Sequence, residues 1–337
     1  MSPYTLPPNP VWFITGCSSG IGLGLATYLS TLTHSTTSTP RIAATARSLS
    51  SLSTLPSAPN ILKLELDVTS DSSVAAALAT TVAHFGRIDV VVNNAGFNVL
   101  AEAEMVSMDA ARDIMETNFW GAVRVTRAVL PILRDSNANG SAVGKDGVKG
   151  VEGEGRGGVI LQVTSLGGRF AFAGNSFYHA SKFALEGFTE ALAKELMPDW
   201  NIHLCCVEPG GVKTNYAHRA VESVEARAAV ERAKGTAYAE ENTPTNLLRR
   251  YHENPAAMEG WADAEAVAEA VVRLVRAGDG TEGKIPLRMP LGADSWGLQR
   301  RGLQVAVERL EAAREGAVRV SGSKAEAQLK SIEFLEF

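Results

Sequence analysis

The chain has 337 residues, long for one minimal domain and short for two large ones, and its 45% apolar and 20% charged content is typical of a soluble protein with a sizeable core. The net charge of -5 argues against a nucleic-acid-binding protein, which would usually carry a basic stripe. No run approaches the roughly 18 apolar residues of a membrane span.

The cysteine content points to a reducing compartment. Cys17, Cys205 and Cys206 have neither the number nor the spacing of a disulfide framework or a metal site. We therefore expect no metal ligands and a cytoplasmic protein. Residues 1–10 are proline-rich, lack the basic and apolar regions of a signal peptide, and are interpreted as an N-terminal extension.

The first predicted elements are a buried strand over residues 11–15, a glycine-rich turn and a helix over residues 23–32. Glycines let a backbone approach a pyrophosphate, and the helix N-terminus supplies amide donors. A glycine turn alone is as often a plain loop, but the strand before it and the helix after it favour a dinucleotide site. The predicted cofactor contacts here are Gly16, Ser18, Ser19, Gly20, Ile21 and Gly22.

The second predicted strand, over residues 41–47, ends in Arg47, where NAD-binding proteins of this type carry an acidic residue. The first acidic residue of the chain is Glu65. Because a guanidinium matches a 2′-phosphate in charge and geometry, we expect NADP(H) as the cofactor. The alternative is an arginine that merely faces solvent. The third strand, over residues 61–68, contains Asp67, which could accept a hydrogen bond from an adenine amino group.

A fourth predicted strand, beginning at Asp89, leads into the turn Asn-Asn-Ala-Gly at residues 93–96, whose side-chain amides can bond cofactor and backbone. Helical segments follow from residue 107 to residue 133. Asn118 interrupts them, because asparagine is locally disfavoured inside a helix. It is either a functional residue or a bend or packing feature.

The candidate catalytic residues lie after a predicted strand over residues 159–164. Ser165 follows that strand directly, and Tyr178 and Lys182 are spaced to lie on one face of a helix. A neighbouring cation favours a phenolate, so Lys182 is expected to lower the pKa of Tyr178 and make it an acid or base near neutral pH. Taken alone, a Tyr-x3-Lys pair is more often a surface contact of a helix.

The remaining segments set the predicted domain limits. A glycine-rich segment at residues 134–158 is interpreted as an exposed insertion. Residues 215–258 are helical in period and form either a substrate lid or a surface helical hairpin. Further predictions are a strand over residues 201–207, a helix over 261–275, an edge strand over 284–288, a helix over 299–318 and a tail over 319–337.

Strands alternate with helices throughout residues 11–318. This alternation predicts a single α/β domain of the Rossmann type, with a doubly wound parallel sheet and helices on both faces.

The motifs together resemble the short-chain dehydrogenase/reductase family over about residues 11–290. They are Thr-Gly-x3-Gly-x-Gly at 15–22, Asn-Asn-Ala-Gly at 93–96, Asn118, Ser165 with Tyr178 and Lys182, and Pro-Gly at 209–210. Within the family, the nearest likeness is to NADP-preferring 17β-hydroxysteroid and retinol dehydrogenases and to fungal pathway reductases. The resemblance extends the expected cofactor contacts to Asn94, Ala95, Gly96, Tyr178, Lys182, Pro209, Gly210, Val212 and Thr214.

The resemblance also implies roles. Tyr178 would be the general acid or base, Lys182 would lower its pKa and bond the nicotinamide ribose, and Ser165 would orient the substrate oxygen. Asn118 would fix a water that links Lys182 to solvent.

The expected activity is interconversion of an alcohol and a ketone or aldehyde in secondary metabolism, by a homodimer or homotetramer with no nucleic-acid partner. Candidate pocket walls suggest an apolar, ring-containing or long-chain substrate, although several could be plain core; they are Phe97, Leu166, Phe170, Phe172, Phe177, Tyr216 and Trp261. One alternative is an NADP(H)-binding scaffold with a sensor or non-redox catalytic role. Another is a scaffold protein that binds partners through residues 134–158.

Overall fold

The structure, a computed structural model, describes residues 6–32, 39–136, 157–276 and 284–332. The chain forms two compact units, Met1–Ser295 and Trp296–Phe337. The predicted division at residue 318 lies inside the second unit, and the predicted domain limits stay a prediction. Most of the predicted insertion, residues 137–156, lies outside the described residues.

A seven-stranded sheet forms the centre of the first unit, and its neighbouring strands are all parallel. Its strands are β1 (Val11–Ile14), β2 (Arg41–Ala46), β3 (Ile61–Glu65), β4 (Val90–Asn93), β5 (Gly158–Val163), β6 (Ile202–Pro209) and β9 (Arg288–Leu291). Across the sheet they are ordered β3-β2-β1-β4-β5-β6-β9. A separate parallel pair consists of β7 (Val212–Lys213) and β8 (Ala262–Asp263). The predicted doubly wound α/β sheet is therefore confirmed.

Helices connect these strands, and a π-helical turn at Glu116–Gly121 joins the third helix to the fourth. In the first unit they are α1 (Gly20–Thr31), α2 (Asp71–Phe85), α3 (Met108–Met115), α4 (Ala122–Pro131), α5 (Ser176–Glu195), α6 (Tyr216–Glu222), α7 (Val224–Ala233), α8 (Pro244–Glu253) and α9 (Ala264–Val275). The second unit contains most of α10 (Ala293–Arg319), together with α11 (Ala325–Ser331). No helix in the described ranges is long and apolar enough to cross a bilayer.

The sheet is covered on both faces, as the continuous apolar runs of its strands require. Successive residues of β1 point to opposite faces, so Trp12 and Ile14 pack with α1 and α9. Val11 and Phe13 pack with α2, α4 and α5 on the other face. These two cores fix the carboxyl ends of the central strands. The strand order reverses between β1 and β4, and α/β sheets bind their ligands in the crevice at such a switch point.

Some predicted boundaries differ from the structure. The edge strand was predicted at residues 284–288 but lies at Arg288–Leu291, because its position is set by parallel pairing with β6 from Cys206 to Pro209. β6 itself continues through Pro209, which had been assigned to a turn. α9 begins at Ala264 because the two preceding residues pair as β8. The helical nature of residues 215–258 is confirmed by α6, α7 and α8.

Candidate active site

The glycine-rich turn lies between β1 and α1 and has the conformation expected of a phosphate-binding turn. Gly16 has a φ of 72° and Gly20 a φ of 62°, which side chains rarely allow. A Cβ atom on Gly22 would lie 2.5 Å from Asn94 Nδ2, so α1 approaches this loop only because Gly22 lacks a side chain. α1 has no side-chain cap and no acidic residue in its first turn. Its first amides therefore suit the phosphates of a dinucleotide.

The other predicted cofactor contacts of this turn, Ser18, Ser19 and Ile21, lie in different environments. Ser18 is exposed, Ser19 is the residue that precedes α1, and Ile21 packs against the core. Ser18 and Ser19 thus border the crevice, whereas Ile21 acts mainly as an anchor for the helix.

Residues 94–96 support the glycine turn from the adjacent strand β4. Asn94 Nδ2 donates to the carbonyl oxygens of Thr15 and Gly16, at 2.9 and 3.2 Å. The backbone amides of Asn94 and Ala95 donate to Thr15 Oγ1, at 2.9 and 3.0 Å. Both amide protons of the Asn94 side chain thus go to the turn, so its shown role is to hold that turn in shape.

Tyr178 and Lys182 lie one turn apart on α5, as their spacing predicts, and both are buried, with exposures of 9% and 5%. Lys182 Nζ donates to the carbonyl oxygen of Val163 at 2.8 Å, which fixes the lysine at the end of β5. It also lies 5.7 Å from the centre of the Tyr178 ring. The pair therefore faces the protein interior at the sheet end, and the alternative of a helix surface contact is excluded.

Ser165 follows β5 and completes this group. Its Oγ accepts a hydrogen bond from the Gly167 amide at 2.9 Å. A serine hydroxyl that accepts in this way keeps its own proton to donate. Hydrogen bonding with Ser165 lowers the pKa of Tyr178, so the hydroxyl lies against the phenol.

Asn118 is 1% exposed and lies on the π-helical turn between α3 and α4. Its side chain accepts from the Phe97 amide at 2.9 Å and donates to the Phe97 carbonyl at 2.9 Å and to Ser181 Oγ at 3.1 Å. A Cβ atom on Gly96 would lie 3.0 Å from Asn118 Oδ1 and 3.6 Å from Lys182 Nζ. A narrow gap at Gly96 therefore lies between Asn118 and Lys182, and a side chain at position 96 would fill it.

The prediction that Tyr178 has a lowered pKa is wrong. Burial raises its pKa above the ordinary value and outweighs the hydrogen bonds with Tyr216 and Ser165, which act in the opposite direction. Burial also lowers the pKa of Lys182 to about 8, although the charge of Glu186 raises it. The sequence spacing identifies the pair correctly, but desolvation dominates because both groups lie inside the fold.

Arg47 and Asp67 lie near each other beyond the ends of β2 and β3. Asp67 Oδ1 accepts hydrogen bonds from the amide and hydroxyl of Thr69, at 2.9 and 2.8 Å. These bonds lower the pKa of Asp67, and the charges of Arg47 and Arg124 lower it further. Arg47 is exposed, so its guanidinium is accessible to an anion at this end of the crevice.

The segment after β6 brings the expected later contacts back to the glycine turn. Pro209 ends β6, and the Gly210 amide donates to the Leu291 carbonyl at 2.9 Å. Val212 is buried in the core beside α1. Thr214 lies over the turn, since a Cβ atom on Gly20 would be 3.5 Å from its Cγ2. Thr214 is thus placed at the cofactor turn, whereas Pro209, Gly210 and Val212 position the backbone that leads to it.

Tyr216 was expected only as a pocket wall, but it lies directly beside the phenol of Tyr178. Its ring centre is 5.7 Å from that of Tyr178, so the two phenols are neighbours. Desolvation raises the pKa of Tyr216, although 36% of the residue is exposed, and the neighbouring Tyr178 raises it further, whereas hydrogen bonding with Asn98 lowers it. Buried Asn98 also donates to Asn175 Oδ1 at 2.6 Å. Asn98 could not be found from the sequence, because only the fold brings it to α6.

His179 is a second residue that the sequence analysis did not single out. Its Nδ1 lies 2.7 Å from the Gly167 carbonyl oxygen, and its Nε2 accepts from the Phe172 amide at 2.9 Å. These partners require the proton on Nδ1. Burial lowers the pKa of His179, which favours this neutral form. The ring therefore fastens the loop after Ser165 to α5, immediately beside Tyr178.

Five of the seven candidate pocket walls are either exposed or lie in the loop after Ser165, and the other two pack elsewhere. Phe97, Phe172 and Tyr216 are each more than one-third exposed, and Phe172 stacks edge-on against His179. Leu166 is buried and Phe170 half-buried in the loop after Ser165. Two of the predicted walls have other partners: Phe177 packs on the cluster around Val99 and Ala101, and Trp261 donates to Tyr251 Oη at 3.0 Å.

Comparison with known proteins agrees with this geometry. A model of the short chain dehydrogenase family matches residues 10–225. Oxidoreductase calM of Penicillium decumbens is 38% identical over 317 residues, covering 93% of each chain. Retinol dehydrogenase 8 of Bos taurus is 37% identical over 217 residues, covering 63% of this chain and 62% of that protein. The crystal structure of a short-chain dehydrogenase from Streptomyces avermitilis aligns with a TM-score of 0.69 and 27% identity, over 92% of this chain and 98% of its own.

The family match covers the sheet up to β6, the glycine turn, the serine, the tyrosine and the lysine in one alignment. The similarity to the Penicillium decumbens oxidoreductase, over 93% of each chain, extends it through the helices of residues 215–258. The chain therefore belongs to the short-chain dehydrogenase family, whose members are oxidoreductases that bind nicotinamide cofactors.

Proposed function

We propose that the protein is an NADP(H)-dependent oxidoreductase that interconverts a carbonyl and a primary or secondary alcohol on an apolar, ring-containing or long-chain substrate. One observation carries this proposal. The phenol of Tyr178, the hydroxyl of Ser165 and the ammonium of Lys182 converge at the carboxyl ends of the central strands, beside a glycine turn shaped for a dinucleotide.

The reaction needs a proton donor at the substrate oxygen. A nicotinamide cofactor, when bound, would supply or accept the hydride. In reduction Tyr178 gives its phenolic proton to the carbonyl oxygen, and in oxidation it takes the hydroxyl proton. Ser165 donates its own proton to the same oxygen and holds it against the phenol, because the serine oxygen is already occupied by the Gly167 amide.

Lys182 supports the reaction as a buried cation. With a pKa of about 8 it is mainly protonated at neutral pH. One of its ammonium protons is used by the Val163 carbonyl, which leaves two donors for the ribose of the cofactor. Asn118, held on both sides by Phe97, faces the narrow gap at Gly96 and would position the group that returns a proton to the lysine.

The preference for NADP(H) rests on Arg47. Its exposed guanidinium stands at the end of β2, where it would bind a 2′-phosphate. Asp67 is already bonded to Thr69 and is held ionised by the nearby charges of Arg47 and Arg124, so it accepts a hydrogen bond from the adenine. Comparison of catalytic efficiency with NADPH and NADH tests the preference, which fails if NADH is used equally well or better.

The substrate class follows from the side chains around the phenol. Tyr216 lies beside Tyr178, and Phe172 packs on the neighbouring His179; both are more than one-third exposed, which favours a ring or a long chain over a small polar alcohol. The expected cytoplasmic location, homodimer or homotetramer, and role in secondary metabolism stay part of this proposal. The cytoplasmic location is supported by the three cysteines, which are all free and buried.

The test is an assay of reduced-nicotinamide absorbance with a panel of apolar ketones and aldehydes. Tyr178→Phe should lower turnover roughly 100- to 10,000-fold, because it removes the acid or base. Its affinity for NADPH should be largely kept, because the glycine turn is untouched. Substantial turnover by this variant would contradict the role of Tyr178, and binding of NADPH without turnover of any substrate by the unmodified protein would favour a sensor or scaffold.

A further inference from the structure

Arg219 links the lid helix α6 to the glycine-rich turn, although no sequence pattern singled it out. Its Nη1 donates to Ser19 Oγ at 3.2 Å, across 200 residues of sequence. Ser19 is the residue that precedes α1, and its hydroxyl makes no capping bond to that helix. The guanidinium of Arg219 therefore lies beside the glycine-rich turn, at the residue that precedes α1.

Arg219 is an exposed residue of α6. Across the described ranges of the chain, Arg219 makes no ion pair. Glu222, three residues later on the same helix, is bonded to Arg227 instead. An arginine whose guanidinium is held by one hydrogen bond to Ser19, next to a glycine turn shaped for phosphates, has the charge and the donor geometry for a phosphate.

The position of Arg219 is set by the fold. On α6, Ala217, Ala220 and Val221 are all buried, and the Leu100 amide donates to the Ala220 carbonyl at 2.9 Å. The helix begins just after Thr214, which itself lies over Gly20. α6 is thus anchored on one side while Arg219 points to the turn on the other.

We infer that Arg219 is a ligand of the cofactor pyrophosphate and that this contact fastens α6 over the bound dinucleotide. The inference rests on the proposed cofactor site. It separates two arginines: Arg219 serves the pyrophosphate, which NADPH and NADH share, whereas Arg47 serves the 2′-phosphate, which only NADPH carries. Since α6 also carries Tyr216, the same contact would hold that phenol beside Tyr178 when the cofactor is bound.

The experiment is calorimetric titration of the full chain with NADPH and with NADH. Arg219→Gln should weaken both cofactors by a similar factor, roughly 10- to 100-fold, the usual loss for a hydrogen bond to a charged group. Arg47→Gln should weaken NADPH alone. Arg227→Gln, which removes an exposed arginine of the same lid region, should bind both cofactors as the unmodified chain does. Arg219→Lys, which keeps the charge but not the fork, should fall between Arg219→Gln and the unmodified chain.

A second measurement follows the helix directly. Saturating NADPH should slow amide hydrogen exchange over α6 in the unmodified chain but not in Arg219→Gln. Equal affinities and equal protection in the two chains would overturn the inference while leaving the proposed function intact. A loss confined to NADPH would assign Arg219 to the 2′-phosphate and overturn the pyrophosphate contact. Failure of the unmodified chain to bind either cofactor would remove the cofactor site, and the proposed function with it.

Discussion

Burial of Lys182 has a cost that can be measured as a dependence of stability on pH. The lysine is 5% exposed, and its pKa falls from 10.5 to about 8, first because of desolvation, with the charge of Glu186 opposing. Each pKa unit corresponds to about 1.4 kcal/mol, so the charged lysine costs the folded state about 3 kcal/mol. Lys182→Met removes this cost.

The sign follows from proton binding. Between pH 8 and pH 10.5 the unfolded chain still holds the lysine proton, whereas the folded protein has begun to lose it. The unfolded state therefore binds more protons, and the contribution of Lys182 to the free energy of unfolding rises with pH in that window. The cost is complete below pH 8 and absent above pH 10.5.

Urea unfolding of both chains from pH 7 to pH 10 measures the effect. The stability of Lys182→Met relative to the unmodified chain should fall by roughly 2–3 kcal/mol over this range. The lost hydrogen bond to Val163 and the altered packing change the stability difference between the two chains by an amount that does not depend on pH. The raised pKa values of the buried cysteines affect both chains equally, so their effect cancels in that difference. Lys194→Met, on an exposed lysine of the same helix, is the matched control. A difference that does not change with pH, or an equal slope in the control, would refute desolvation as the cause.

The remaining predictions concern the phenol and the glycine turn. Tyr216→Phe removes a group that lowers the pKa of Tyr178, so the pH profile of alcohol oxidation, in which Tyr178 is the base, should move upward, with roughly a tenfold loss at neutral pH; an unchanged profile would exclude this role. Gly22→Ala places a Cβ atom 2.5 Å from Asn94 Nδ2 and 2.6 Å from the Gly16 carbonyl oxygen, so it should lower the free energy of unfolding by about 1–3 kcal/mol and weaken both cofactors. Gly187→Ala, with no atom near its Cβ position, is the control, and an equal effect there would contradict the steric reason.

The sheet was predictable because its strands are short continuous apolar runs, which only a sheet buried on both faces accommodates. The edge strand was misplaced because no such pattern marks it. Met289 and Pro290 belong to it only through pairing with Val207 and Glu208 of β6. Edge positions are fixed by a neighbour that is distant in sequence, so local pattern reading fails there first.

The candidate site was predictable wherever spacing within one element sets the geometry, as for Tyr178 and Lys182 on α5. It was not predictable where separate segments meet. Asn98, His179 and Arg219 come from a loop, from α5 and from α6, and none has a sequence pattern that marks its partner. The effect of Lys182 on Tyr178 was misjudged for a related reason, since spacing gives proximity but burial decides the pKa.

These contacts suggest how a buried phenol can still work near neutral pH. Desolvation raises the pKa of Tyr178, so groups that favour the phenolate must oppose it, and the two that do so are the hydroxyls of Ser165 and Tyr216. Ser165 is fixed by the loop that His179 fastens, whereas Tyr216 belongs to α6. In the proposed reaction Ser165 gives its single proton to the substrate oxygen, so the hydroxyl of Tyr216 is the donor left to oppose desolvation while substrate is bound. Arg219 ties α6, which carries Tyr216, to the glycine-rich turn. The pKa of Tyr178 should therefore be lowest when the dinucleotide is bound, which is when a hydride is available together with the proton.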